Sequence, residues 1–507
     1  MRSTWLIQWA CLLLMLGALC VGVPRQAGPD EPAHAIRAAA LVRGQLNGDA
    51  SGSGDAYRSF RVPAWVAQPD PGCFAFVPEQ RAGCASVDGS TGSAELVSSA
   101  ASYPPFAHLL PGIGTLLGDS ARSLWLSRLL GAAFSAGVIA AALHRLQRVG
   151  SRSTAAATLL ALTPAGLFSM TVINPSGPTI AGSIAVIAAL LCLHRGDVRA
   201  DRLLAVGAAA MALSRSDGWF WLAIVIVLMT WMLRINPRSL WSSVSAPARA
   251  VVLGATAVGA SWAVLVRPEF VPVPTNLTGW RLVSQVVRRT TGHLEEAVGL
   301  FGWADTSIPV LASYMWWSTL GALAMVAYLS GWKRGLVLCG ASLLGFVLAG
   351  WLGDWIPASS VGLVWQGRYA IPLLVVGVMG LGACDRGGDR ATRPGDWSAV
   401  VGFAAVAVWN IGFYQALRRW SVGSQGALLP FDWERGGSAV HPLVCLVVFM
   451  VGSCLLWSVN FGRVRSIVGS TASRVAAPTN GVPTTPIDAD GRPELASARE
   501  VTPQPSA

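Results

Sequence analysis

Long apolar runs recur along most of this 507-residue chain, and such runs leave the backbone few options. Inside a bilayer every N–H and C=O must be paired within its own segment, so a stretch of roughly 17 to 25 apolar residues has to be helical. About twelve such runs can be read, at 5-23, 122-143, 154-173, 177-194, 201-214, 217-234, 249-267, 311-330, 335-353, 361-383, 397-416 and 440-460. The 201-214 run is short and is expected to continue into a tight turn at Ser214 to Asp217. With 53% apolar and 12% charged residues, an ordinary soluble protein is excluded.

The formal charge of +11 does not indicate a nucleic-acid partner, because the arginines stand at the ends of apolar runs rather than in one basic block. Lys333 is the only lysine, and the Arg, Ala and Gly usage points to a GC-rich bacterial genome. With the N-terminus placed inside, the alternate short turns carry Arg145/Arg148/Arg152, Arg195/Arg199/Arg202, Arg234/Arg238, Lys333/Arg334, Arg386/Arg390/Arg393 and Arg463/Arg465. This is the positive-inside pattern of a multi-pass protein of the bacterial cytoplasmic (inner) membrane, with both termini cytoplasmic. The outer side receives the large first extracytoplasmic loop 24-121, a second large loop 268-310 and segment 417-439.

Arg2 followed by an apolar stretch could read as a signal peptide, but the stretch is long and Gly22-Val23-Pro24-Arg25 is a poor cleavage site, which favours an uncleaved first span. In the first loop, Pro32, the helix formers from Ala33 to Arg43, and Gly44 predict a helix with a defined stop. Phe106 to Leu117 predicts a second helix, too short to span and suited to the interface. The centre of the loop has no assignable pattern. The polytopic domain is taken as 1-465, and the tail 466-507, rich in Ala, Pro, Thr and Ser, as disordered and cytoplasmic. Of the nine cysteines, seven lie in or beside spans, whereas Cys73 and Cys84 share the loop on the oxidising side and are candidates for a disulfide. No Cys or His spacing suits zinc.

Several polar groups could carry chemistry. Asp30-Glu31 can cap the loop helix, or one carboxylate can do so while the other stays free at the membrane surface. His34 and Arg37 fall one and two turns on, roughly on the same face, so acid, imidazole and guanidinium are expected to converge. In Trp365-Gln366-Gly367-Arg368-Tyr369, Arg368 is either an interfacial anchor or a grip on a lipid phosphate. Arg215 and Asp217 either pair with each other or contribute to a site. Asn174-Pro175 reads as a helix break. Arg281, Arg288 and Arg289 with His293, Glu295 and Glu296 suit either lipid head groups or a solvated amphipathic helix.

The pieces also come in a familiar order. Pro29-Asp30-Glu31-Pro32-Ala33-His34 follows the first span, Tyr103-Pro104-Pro105 precedes the second, Asn174-Pro175 separates the third and fourth, and Gln366-Gly367-Arg368-Tyr369 with Pro372 comes late. Over roughly 20-460 this set resembles the domain-of-unknown-function 2142 family of bacterial membrane proteins. That family is similar in layout to the GT-C superfamily, whose members transfer a sugar from a polyprenyl-phosphate donor outside the cytoplasmic membrane. There a first-loop Asp or Glu is typically the catalytic base or lies beside a metal, which by position nominates Asp30, with Glu31 as its neighbour.

The expectation is therefore an all-α integral membrane protein of about twelve transmembrane helices and GT-C-like architecture. Its expected function is glycosyl transfer from a polyprenyl-phosphate-linked sugar to a glycan or lipid acceptor of the cell envelope. Asp30 and Glu31 are the catalytic candidates; His34, Arg37, Arg215, Asp217, Gln366, Arg368 and Tyr369 are candidates for holding donor phosphate or substrate. A divalent metal cofactor is left open. The rivals are a transporter or flippase of a lipid-linked sugar and a non-catalytic scaffold of envelope assembly.

Overall fold

The structure is a computed structural model that describes residues 2–51, 56–86, 91–266, 275, 277–384 and 397–462. The tail 466-507, the basic residues Arg386, Arg390, Arg393, Arg463 and Arg465, and part of the 268-310 loop lie outside the described residues.

The first run is α1 (Arg2–Gly22), and the loop helix is α2 (Glu31–Leu41). Helix α2 stops where Gly44 takes φ 80°, with Gly44 N–H bonded to the Leu41 carbonyl and Gln45 N–H to that of Ala40, a Schellman turn. The centre of the loop, unassigned from sequence, forms a three-stranded antiparallel sheet of β1 (Asp49–Ala50), β2 (Arg58–Pro63) and β3 (Ser93–Ser98). Phe60 pairs with Leu96 and Val62 with Ala94. Phe60 and Val62 are buried with Ala35, Ile36 and Ala39 of α2, so this layer has its own small core.

After the short α3 (Phe106–Gly114) and α4 (Ser123–Arg148), the run read as 154-173 breaks into α5 (Arg152–Ala161) and α6 (Pro164–Ser169). Pro164 has no N–H for a continuing helix, and Thr163 Oγ1 caps the new one by accepting from Gly166 N–H at 3.1 Å. The carbonyls released at the break are taken by indoles: Trp316 Nε1 donates to Leu160 at 3.0 Å and Trp409 Nε1 to Leu162.

Next come α7 (Ser176–His194), buried along almost its whole length, α8 (Asp201–Ala212), α9 (Gly218–Leu233), α10 (Pro237–Ser243) and α11 (Ala246–Leu265). The amphipathic α12 (Gly279–Gly299) and a hairpin of β4 (Leu300–Phe301) and β5 (Thr306–Ser307) follow. Helices α13 (Val310–Leu329), α14 (Lys333–Trp355), α15 (Ile371–Gly382), α16 (Trp397–Val422) and α17 (Pro442–Phe461) complete the bundle.

Each of the apolar runs thus contains a helix, but the helix lengths differ. Among the described residues eight helices are long and apolar enough to cross a membrane, or nine if α9 and α10, bent by 108°, form one broken span. The runs at 154-173, 201-214 and 361-383 yield shorter helices, because a proline break, the Ser214 turn and a 3-10 turn at Gly367–Ala370 interrupt them.

Two fully buried arginines tie the first loop to the bundle. Arg128 of α4 donates to the carbonyls of Cys20 in the last turn of α1 and of Val23 and Pro24 just past it, at 3.2, 2.7 and 2.7 Å, and grips Glu31 through two bonds of 2.7 and 2.6 Å. Arg419 of α16 donates to the carbonyls of Phe74, Val77 and Gln80 and to Asp305 Oδ2 at 2.9 Å. The segment it holds is closed by a Cys73–Cys84 disulfide.

Candidate functional site

Helix α1 ends, α7, α9 and α15 begin, and α8 ends on the same side of the bundle, so turns remote in sequence share the face that carries the first loop. Asp30 stands there just ahead of α2. Of the two carboxylates expected to share the capping role, Asp30 has no part in it: it takes φ 58°, a left-handed conformation, and makes no capping bond. Glu31 does the anchoring instead, accepting from Gly28 N–H and Ile173 N–H, each at 3.1 Å, as well as from Arg128. Its side chain is 2% exposed against 53% for Asp30, so of the two neighbouring carboxylates Asp30 is the one presented to a ligand.

Across the face, Asp30 Oδ2 lies 3.7 Å from Arg368 Nη2. Arg368 leads into α15, and its approach is set by α12. Arg289 donates to the carbonyls of Leu363 and Trp365 at 2.7 and 2.8 Å, while Trp365 N–H donates to Asp354 Oδ1 at 3.0 Å. Asp354 is itself fully buried, with Oδ2 at 3.2 Å from Arg289 and 3.3 Å from His293. Gly367 N–H donates to Glu296, and a Cβ on Gly367 would come within 1.9 Å of the His293 carbonyl, so only glycine lets the segment lie this close to α12. The group at 289-296, readable as lipid contacts or a solvated face, therefore includes Arg289, His293 and Glu296 in the support of Arg368. Burial pushes the Glu296 carboxyl up, against the pull of the Gly367 N–H.

Arg215 and Asp217, in the turn between α8 and α9, do pair: Nε to Oδ1 is 2.8 Å and Nη2 to Oδ2 is 3.2 Å. They also join the same cluster. Arg215 Nη1 reaches Ser176 Oγ at 3.3 Å, and its guanidinium carbon lies 4.5 Å from the centroid of the Tyr369 ring. Arg368 approaches that ring at 5.3 Å, so the tyrosine stands between two cations. Burial raises the Asp217 carboxyl, but Arg215 and the Trp221 indole outweigh it and hold the group below the usual carboxylate range. The Arg215 guanidinium is destabilised by burial yet raised overall by Asp217.

The third wall is neutral. His34 Nδ1 lies 3.0 Å from His108 Nε2, and the His34 ring meets Tyr103 edge-on at 5.2 Å. Burial, then His108 and Arg368, keeps His34 well below its ordinary value; burial and Arg37 bring His108 to about 3. Burial pushes the Tyr103 hydroxyl up to about 12. Both imidazoles are thus uncharged at neutral pH.

Arg37 acts on His108 through its charge, but its contacts lie elsewhere. It is buried against Phe60, 5.6 Å from the ring centroid, and donates to the Leu46 carbonyl, because the sheet covers that face of α2. Gln366 lines a narrow pocket with Pro29, Asn174, Glu296 and Arg368. Its volume is about 20 Å³, room for roughly one water. Asn174 Oδ1 caps α7 by accepting from Ser176 N–H at 2.7 Å. Among the described residues no group of three or more His, Cys, Asp or Glu is arranged to hold a metal ion.

The structure therefore brings together Asp30, His34, Arg215, Asp217, Gln366, Arg368 and Tyr369, and sets Glu31 and Arg37 apart as supports of the loop. Sequence reasoning passed over Tyr103, His108 and Ser176 as site residues, although the Tyr103-Pro104-Pro105 motif was in view. It also missed Arg128, for which a lone charge within an apolar run was the available signal.

No curated protein matches the chain. Among solved structures, ArnT from Cupriavidus metallidurans aligns in two crystal structures, one bound to undecaprenyl phosphate and one in the apo state. Identity is 16% and 17%, with 96% of this chain and 82% of that one covered in each case, and the TM-score is 0.41 in both. A score this low does not establish a common fold. The profile of the family described as Predicted membrane protein (DUF2142) matches residues 13–376, which is most of the chain. The chain belongs to the DUF2142 family of membrane proteins.

Proposed function

We propose that the protein is a GT-C-like membrane glycosyltransferase. It would take a sugar from a polyprenyl-phosphate donor and pass it, with inversion, to a hydroxyl of a cell-envelope acceptor. The observation that carries this reading is the meeting of Asp30 with Arg368 on the face of the first loop. A half-exposed carboxylate is free to accept a proton, and a guanidinium beside it offers the forked donors that suit a phosphate. In the reaction the acceptor oxygen bonds to the anomeric carbon as that carbon's bond to the phosphate oxygen breaks. The acceptor proton passes to Asp30, and the electron pair stays with polyprenyl phosphate, whose charge Arg368 and Arg215 stabilise. The 3.7 Å pair and the narrow pocket beneath it describe a closed state, so donor binding has to part Asp30 from Arg368.

The described basic turns, at Arg145 to Arg152, Arg195 to Arg202, Arg234 to Arg238 and Lys333 to Arg334, lie at the opposite end of the bundle, which supports a cytoplasmic position for that end and an extracytoplasmic one for the site. Surface chemistry is favoured over lipid transport by the placement of charge. Among the described residues the buried Asp, Glu, His and Arg side chains lie either outside the long apolar helices or, as with Arg128, Asp354 and Arg419, within two turns of a helix end.

The test is transfer of labelled sugar from a synthetic polyprenyl-phosphate donor in membranes containing the protein. Asp30→Asn is expected to abolish transfer with insertion unchanged; full activity in that variant removes the proposal. Movement of lipid-linked sugar across a reconstituted bilayer without a new glycosidic bond would replace it by transport.

A further inference from the structure

A groove runs between α1, α4 and α8 at the end of the bundle away from the first loop. Its walls include Trp5, Trp9, Phe134, Gly137, Leu203 and Val206, and its volume is about 430 Å³. The indole N–H groups of Trp5 and Trp9 are turned onto the α4 carbonyls of Gly137 and Ala133, at 3.4 and 3.1 Å. The tryptophans therefore add apolar surface and no donor.

Three arginines from different elements converge at the mouth: Arg145 from the last turn of α4, Arg199 from the 3-10 turn Val198–Ala200, and Arg202 from the first turn of α8. Asp197 takes up Arg145 at 3.1 Å. Asp201, next to Arg202 in sequence, is turned onto backbone N–H groups, that of Arg202 at 2.7 Å and that of Ser245 at 3.4 Å. Arg199 and Arg202 are both exposed at the mouth. The positive-inside rule accounts for arginines at this end, but not for their convergence over an apolar groove.

The depth is informative. From Arg145 to Ala133 the lining follows α4 for about 18 Å at 1.5 Å per residue. One leaflet is about half of a hydrocarbon core of roughly 30 Å, so the groove matches a single leaflet. Apolar walls of that depth beneath exposed cations fit a lipid with an ordinary acyl chain and an anionic head group.

We propose that this groove holds one acyl chain of an anionic glycerophospholipid, whose phosphate rests on Arg199 and Arg202 with Arg145 beside them. Its occupancy is independent of the chemistry at the opposite end. Gly137 provides the means to separate packing from charge. A Cβ there would approach no atom closer than Trp9 at 3.6 Å, an ordinary contact, so the first carbon of a side chain is accommodated and a longer one is built onto the groove wall beside Trp9.

Full-length protein in mild detergent is titrated with phosphatidylglycerol and, separately, with phosphatidylcholine, and bound lipid is counted by native mass spectrometry. Phosphatidylglycerol is expected to bind about tenfold more tightly. The double variant Arg199→Gln/Arg202→Gln should weaken it about 30-fold, and Gly137→Leu, which keeps every charge, should abolish its retention. Equal retention of both lipids, or unchanged phosphatidylglycerol binding in Gly137→Leu, overturns the proposal. So does a lipid-independent dimer that Gly137→Leu disrupts, since a second copy would then be the occupant.

Discussion

Asp30 and Arg368 stand at opposite ends of the family-matched region, yet Asp30 Oδ2 and Arg368 Nη2 lie 3.7 Å apart. Asp30 is half exposed, and pairs of that kind contribute at most about 1 kcal/mol, so the contact is no support of the fold. It is weak enough for a ligand to part.

The two residues should therefore separate activity from stability. Asp30→Asn is expected to abolish detectable transfer, a loss of about a hundredfold or more, with the melting temperature unchanged. Arg368→Lys keeps the charge but loses the fork, and should raise KM for the lipid-phosphate donor more than it lowers kcat. Melting curves together with transfer kinetics check both.

Glu31 should behave in the opposite way to its neighbour. Its carboxylate is buried with Arg128, and removing one member of such a pair typically costs about 3 to 5 kcal/mol. Glu31→Gln and Arg128→Met are expected to unfold far more readily in detergent than Asp30→Asn. A Glu31→Gln protein that melts like the parent would show that the pair does not hold the loop.

Acid should loosen the first loop through its histidines. In the folded state His34 lies well below its ordinary value and His108 at about 3, so the unfolded chain takes up protons that the folded one refuses. Their contribution to stability is complete above about pH 6.5 and declines as pH falls from there toward the folded value, by up to about 1.4 kcal/mol per unit for each histidine. His108→Gln should flatten the dependence of melting on pH between about 6.5 and 4.5.

The Cys73–Cys84 bond and Arg419 together hold the segment between them on α16. Under denaturing conditions an alkylating label should reach Cys73 and Cys84 only after reduction. Arg419→Met removes the donor for several buried carbonyls, and limited proteolysis within 74–83 should then become faster in the unreduced protein.

Much of this was legible locally. A helix pairs its own backbone, so its apolar run, its proline and its stop appear in the sequence: every run contains a helix, Gly44 ended α2 as expected, and Asn174-Pro175 marked the start of α7. Cys73 and Cys84 could be nominated because they alone lay in a polar loop. The sheet in that loop was hidden, since strands of two and six residues carry little periodic signal.

What local pattern could not decide was partnership. Asp30 and Glu31 are adjacent and chemically alike, and only the arrival of Arg128 from α4 buries one and leaves the other exposed. Arg37 shares a helix with His34, yet the sheet over α2 draws it away. Arg368, Arg215 and Tyr369 form one cluster because helices remote in sequence turn at the same end of the bundle. The sequence by itself determined where helices form and which side chains can ionise. Tertiary structure alone decided which of those charges neutralise one another and which remain open to a ligand, because burial and pairing depend on neighbours that the chain brings together only on folding.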